Sequence, residues 1–458
     1  MGERIAMTRT SFRAARQDVW TAPGRRPVDG LLVLSVLTLT MLGLLMVYST
    51  TFAWSTSDSP SVVSALLNAL AGERGESGSV FLRQALTTFL GLGVFVVAAR
   101  MDYGLLRRYA VPIMALGIAL LVAVLLFGED YLGARRTFFY RSIQPSEAAK
   151  LCLAIYAAAW LASRREQVRE IANGLVPFGV IVGSVAFLII AQPDLSTAAV
   201  VLVMAFAMFF FAGATLKQMT LLGAIVAIAF WGLITLFPHA TERLRQYILS
   251  WTDPSLQVAN YHQFQMFVAL GNGGLFGKGL GAGGQKFGLL PLPNHDSVTA
   301  VIGEELGLVG VLLTLVLFAL FAWRGLVISK KADTAFGAFL AVGIVVWVVG
   351  QMLLHVLSVF ALIPFGGMAS PFLSQGGSSI IAVLAASGVL VSVGRGSRLV
   401  ADADHSTPAG GVLARARVDF RRRNSRSRFA RTYRFRGAEK DAPFGFRPVR
   451  RRTRGHGA

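Results

Sequence analysis

The chain has 458 residues, of which 54% are hydrophobic and only 15% charged, and its net charge is +20. Its apolar residues fall in repeated runs of about 20, the length a helix needs to cross a bilayer, so a water-soluble globular protein is excluded and a polytopic membrane protein is expected. The charge is concentrated at the ends: residues 395–458 hold 18 Lys or Arg against 5 Asp or Glu, residues 1–29 hold 6 against 3, and the rest is nearly neutral. No folded reader surrounds the C-terminal Arg clusters, so nucleic acid is not an expected partner, whereas anionic lipid is.

The simplest partition is a basic tail (1–29), an all-α transmembrane domain (30–394) and a basic, solvated and disordered tail (395–458). In chain order the first expected span is Gly30–Ala53. It is too long for a signal-peptide core and no small-residue cleavage site follows it, so it reads as a retained span. The polar segment Trp54–Gly78 carries Asp58, Glu73 and Glu76 against Arg74 alone and fits the outer side. Further spans are expected at Phe81–Ala99, Tyr109–Phe127, Glu147–Ala162, Leu175–Ala191, Ser196–Ala214, Gln218–Phe237, Val298–Arg324, Phe336–Ile363 and Ser378–Val393. Arg100, Arg107, Arg108, Arg164, Arg165, Arg169, Lys330 and Lys331 mark the inner loops. Ten spans, an even number, place both basic tails on the cytoplasmic side. The single cysteine, Cys152, rules out an intramolecular disulfide and reads as a small buried hydrophobe.

Two outer segments draw attention. The loop before the fourth span carries Arg135, Arg136 and Arg141 against the positive-inside bias, followed by Glu147 and Lys150. These cations either pair with Glu129, Asp130 and Glu147 or bind a phosphorylated substrate, because Arg forks match phosphate oxygens. The second segment is the long outer loop 238–297. Thr241–Trp251 reads as an interfacial amphipathic helix, and Tyr261, Gln265, Lys278 and Lys286 lie among glycines able to expose backbone N–H groups. That loop leads to Asp296, a carboxylate at the border between water and lipid, where it is costly without a partner or a task. Glu304 and Glu305 stand inside the apolar run that follows and are secondary candidates, either of which can serve simply to pair with a cation or backbone group. Asp194 after Pro193 reads as a helix cap, His355 as an interhelical hydrogen-bonding residue and SPFLSQGGSS as a polar helix entry. The histidines are scattered and form no zinc-type cluster.

Five motifs in order, QPSEAAKL (144–151), AQPDLSTA (191–198), GNGGLFGKGLG with QK following (271–286), HDSVTAVIGEELGLVG (295–310) and SPFLSQGGSS (370–379), resemble the SEDS proteins of bacterial cell-wall synthesis, typified by FtsW, RodA and SpoVE. The likeness leans to the FtsW type. It implies a ten-helix glycosyltransferase of the bacterial cytoplasmic membrane. Its substrate would be lipid II, the undecaprenyl-pyrophosphate-linked disaccharide-pentapeptide, polymerised on the outer face. The implied partners are a class B penicillin-binding protein and other divisome or elongasome membrane proteins. Asp296 falls on the family's essential aspartate, Lys150 on a lysine of the substrate cavity, Gln265 on the glutamine four after a tyrosine (here Tyr261), and Arg136 on an arginine usually followed by tryptophan, here Thr137. The family's His-Thr-Asp reads Asn294-His295-Asp296, and its serine-tyrosine before the double glycine reads Ser374-Gln375.

The chemistry that this resemblance asks of the residues is coherent on physical grounds. A sugar hydroxyl must displace pyrophosphate from an anomeric carbon, so the site needs a base and an anion stabiliser. Partial desolvation suits Asp296 to the first role. Lys150, Arg136, Lys286, and Arg141 or a divalent cation such as Mg or Mn fit the second. A lipid-precursor flippase and a non-catalytic scaffold for a penicillin-binding protein are the rival readings.

Overall fold

The computed structural model describes residues 26–52, 77–131, 134–138, 143–236, most of 241–249, 261–364 and 366–397. The segment 54–76, Arg141, nearly all of both basic tails and parts of the expected interfacial helix at Thr241–Trp251 lie outside the described residues.

Every expected span is a helix, with ends within a few residues of those read from hydropathy. They are α1 (Gly30–Phe52), α2 (Ser77–Arg100), the short α3 (Gly104–Arg108), α4 (Ala110–Phe127), α5 (Pro145–Ser163), α6 (Val176–Ile190), α7 (Leu195–Phe211) and α8 (Leu216–Leu236). After them come α9 (Tyr261–Gly273), α10 (Val298–Lys331), α11 (Ala335–Val359) and α12 (Gly377–Arg395). Among the described residues seven helical segments are long and apolar enough to cross a membrane; α7 and the stretch Leu216–Gly232 of α8 are apolar but shorter, and α5 carries Glu147 and Lys150. Local chemistry sets several starts: Pro145 opens α5, Thr334 accepts the Gly337 N–H at α11, and Asp194 accepts from the backbone N–H and the hydroxyl of Thr197 at α7. Ser196 is not the cap partner; it donates to the Gly366 carbonyl instead. Three of these elements were not foreseen: α3, in an expected inner loop, α9, and a hairpin of β1 (Glu129–Tyr131) and β2 (Ala134–Thr137), antiparallel with Asp130 opposite Arg135.

Small residues let the helices close up, as packing between helices in lipid requires. A Cβ at Gly388 of α12 would lie 2.5 Å from the Phe95 carbonyl of α2, and one at Gly91 would lie 2.7 Å from Leu384. Helices α1 and α10 are pinned together at two heights. At one end Arg324 Nε donates to Asp29 at 3.0 Å, and 19 to 20 residues further along both chains Ser49 donates to Glu305 at 2.7 Å. At 1.5 Å per residue the pins stand about 30 Å apart, the thickness of a bilayer's hydrocarbon core. The end with Asp29 also holds Arg26, whose guanidinium meets Asp333 at 2.6 Å and whose N–H donates to the Arg395 carbonyl.

Helix α10 breaks just beyond the other pin. Gly307 has φ +69°, so the ladder is interrupted in a place where unpaired backbone would be costly. The glycine-rich loop repairs it. Lys278 and Gly279 N–H groups donate to the Glu304 and Glu305 carbonyls, and Leu308 and Val309 N–H groups donate to Gly274 and Leu275. The approach is too close for side chains: a Cβ at Gly273 would strike the Gly303 carbonyl, and one at Gly277 that of Glu305.

Candidate active site

Asp296 lies one residue ahead of Ser297, the N-cap of α10, and the chain around it is fastened on every side. Before it, the Gln375 N–H donates to the Asn294 carbonyl at 2.7 Å and the Ser374 hydroxyl to the His295 carbonyl at 2.6 Å. After it, His262 of α9 meets the Ser297 hydroxyl at 2.7 Å, and that hydroxyl donates its one proton to the Pro291 carbonyl. His262 must therefore be the donor through Nε2. Burial pushes this imidazole down to about 4, which keeps it neutral near pH 7. The Asp296 carboxylate is partly exposed and rests against Gly367, where φ is +60° and an added Cβ would lie 3.2 Å from Oδ2.

The strand that carries Gly367 also reaches Lys150. The Ala369 carbonyl accepts from Gln351 Nε2 at 2.9 Å, and Gln351 Oε1 accepts from Lys150 Nζ at 2.8 Å and from Trp347 at 3.0 Å. Lys150 is 1% exposed and also pairs with Glu147 at 2.7 Å; Glu147 in turn accepts from Ser379. Asp296 and the Lys150 network thus share one three-residue stretch, 367–369, which spans on the order of 10 Å of chain. The segment 366–379, of which 370–379 was expected as a polar helix entry, is the strut of the site. Its Gly376 N–H donates to Gln84 and its Ser378 hydroxyl accepts from the Gln144 N–H.

The other expected residues divide. Arg136 Nε donates to the Gln192 carbonyl at 3.0 Å and its NH2 group to that of Pro193, so its fork grips the turn before α7 and not the acids of its own loop. Tyr261 and the half-buried Gln265, four residues apart on α9, belong to the helix that holds Ser297. Lys286 and Glu304 are paired within the protein, as Lys150 is. Lys286 is 1% exposed and locked to Glu305 at 2.6 Å and to Ser49 at 2.9 Å. Glu304, wholly buried, takes Lys278 at 3.1 Å and the Gly284 and Gln285 N–H groups at 3.0 and 3.1 Å. The Gly281, Gly284 and Gln285 N–H groups of the glycine-rich loop donate to the Glu305 and Glu304 carboxylates, because buried charge must be paired within the protein. Among the described residues no three His, Cys, Asp or Glu side chains are placed to hold a metal ion, and no step is routed through one.

Sequence reading overlooked Gln351 and treated Ser379 only as part of a helix entry. A signal existed for Gln351. Trp347, Gln351 and His355 recur every four residues in an otherwise apolar helix, which marks a polar stripe facing protein.

A bundle of apolar helices with a buried lysine network beneath a clamped, partly exposed carboxylate defines a multi-pass membrane protein with a polar site at one end of its helices. The sequence profile of the FtsW/RodA/SpoVE cell cycle proteins matches residues 30–399, and the chain belongs to that family. It is 35% identical over 376 residues to stage V sporulation protein E of Bacillus subtilis, covering 81% of this chain and 98% of that protein. It is 33% identical over 370 residues to a probable peptidoglycan glycosyltransferase FtsW of Geobacter sulfurreducens, covering 80% and 94%. Among solved structures it resembles a chain of a peptidoglycan synthase complex (TM-score 0.62, 25% identity, 82% and 98% covered). The rod shape determining protein RodA of Thermus thermophilus shares the fold (TM-score 0.57, 24% identity, 82% and 98% covered).

Proposed function

We propose that this chain is a peptidoglycan glycosyltransferase that polymerises lipid II on the outer face of the bacterial cytoplasmic membrane, beside a class B penicillin-binding protein. Family membership and relatives named as peptidoglycan glycosyltransferases support the activity, and the likeness to a peptidoglycan synthase complex supports the partner. In this reading the chain crosses ten times, with both termini cytoplasmic and the Asp296 end outside.

Asp296 is the general base. It takes the proton of the acceptor sugar hydroxyl as that oxygen bonds to the donor's anomeric carbon. The anomeric carbon's bond to the pyrophosphate oxygen breaks, and the electron pair leaves with undecaprenyl pyrophosphate. Lys150 and Arg136 are the cations of the leaving-group side, with Tyr261 and Gln265 on the helix beside the base. The observation that carries the reading is a partly exposed carboxylate clamped against Gly367, two residues from the carbonyl that the Lys150 network holds.

The test is a gel assay for glycan strands from lipid II with the penicillin-binding protein present, comparing wild type with Asp296→Asn. Strands from wild type alone support the polymerase over a flippase or a scaffold. Strands from both at equal rate overturn it.

A further inference from the structure

We propose that His355 is a positioning residue for Asp296. The inference rests on Asp296 as the base and adds the device that sets its height. His355 is fully enclosed in α11, in the polar stripe with Trp347 and Gln351, and touches two segments that no chain connection brings together. Its Nδ1 lies 2.7 Å from the Met368 carbonyl and its Nε2 lies 2.9 Å from the Thr299 hydroxyl.

The proton assignment follows from the partners. A carbonyl oxygen only accepts, so Nδ1 carries the hydrogen; in the neutral ring Nε2 then accepts from the Thr299 hydroxyl. Met368 is the residue after Gly367, on which the Asp296 carboxylate rests, and Thr299 lies three residues after Asp296. One ring therefore spans the two sides of the seat. Gln351, one turn earlier, holds the next carbonyl, Ala369, and so carries the same alignment down to Lys150. The stripe acts as a gauge with two contact points, His355 for the base and Gln351 for the cation beneath it. His262 holds Ser297 from outside the stripe, so the Asp296 segment keeps a fixing point when His355 is removed, and the expected fault is a shift of the carboxylate and not unfolding. A misplacement of about 1 Å can cost on the order of 10²-fold in rate.

The test measures glycan-strand formation from lipid II by the full chain with its penicillin-binding protein, resolved into kcat and KM. Thermal unfolding is followed in parallel. His355→Leu removes both contacts, Thr299→Val removes one without changing size, and His355→Gln restores a donor and an acceptor on one side chain. The expected result is a loss of kcat of about 10- to 100-fold in His355→Leu, a smaller loss in Thr299→Val, KM within about twofold, and recovery of most of kcat in His355→Gln. Should His355→Leu fail to fold, Thr299→Val and His355→Gln carry the test. Wild-type kcat in Thr299→Val, a loss confined to KM, or a glutamine no better than leucine overturns the proposal. Asp296→Asn in the same assay separates the two claims: an inactive Asp296→Asn beside a fully active His355→Leu refutes the gauge alone, and an active Asp296→Asn refutes the base.

Discussion

The Lys286–Glu304–Glu305 cluster and the Asp296 seat are both assembled from carboxylates at the N-terminal part of α10, yet they do opposite things. In the first, Glu305 receives Lys286, Ser49 and the Gly281 N–H, and Glu304 receives Lys278 and two further backbone donors, with both carboxylates wholly buried. In the second, the clamps act on the backbone carbonyls of Asn294 and His295 and on the Ser297 hydroxyl, and Asp296 stays partly exposed. A charge whose donors are saturated inside the protein holds the fold. A charge whose backbone is held while its head stays accessible is equipped for chemistry.

That contrast fails or sharpens at four points. The largest effect is expected from Asp296→Ala. Loss of a general base costs about 10²- to 10⁴-fold in rate, with little change in unfolding temperature, because the residue is partly exposed. A stability loss equal to that of a lock mutant would erase the distinction. Next is Glu305→Ala, which strands Lys286 in a buried site and should cost about 3–5 kcal/mol, read as a lowered unfolding midpoint in detergent. A normal midpoint would mean that the lock holds nothing. Gly307→Ala should cost about 1–3 kcal/mol, since its backbone has φ +69° and a Cβ would strike the Gly277 N–H; thermal unfolding reads this as well.

The smallest effect is one of pH. His262 titrates near 4 in the folded protein against an ordinary 6.5, because burial disfavours its charged form. As pH falls from 6.5 toward 4 the unfolded chain takes up a proton that the folded chain refuses, so stability declines across that window and this contribution levels off below it. Unfolding midpoints of His262→Gln, which lacks the titrating ring, should show a flatter dependence between pH 6.5 and 4. An unchanged slope would remove His262 from the seat.

The solvent and the helices are legible in the residues alone. Apolar runs of membrane length and caps such as Asp194 are local features, and a helix in lipid satisfies its own backbone whatever its neighbours do. Tertiary structure alone decided which charges are spent. Lys286 and Lys150 each pair with a glutamate nearer in the chain, Glu305 and Glu147, and each also meets a group far away in sequence: Ser49 is 237 residues from Lys286, and Gln351 is 201 residues from Lys150. The break at Gly307 is invisible for the same reason, since its missing hydrogen bonds are supplied by a loop some 30 residues earlier. Local pattern records which groups are polar. Only packing settles whether each meets another group of the chain or is left for a substrate, because the cost of an unpaired charge depends on everything folded around it.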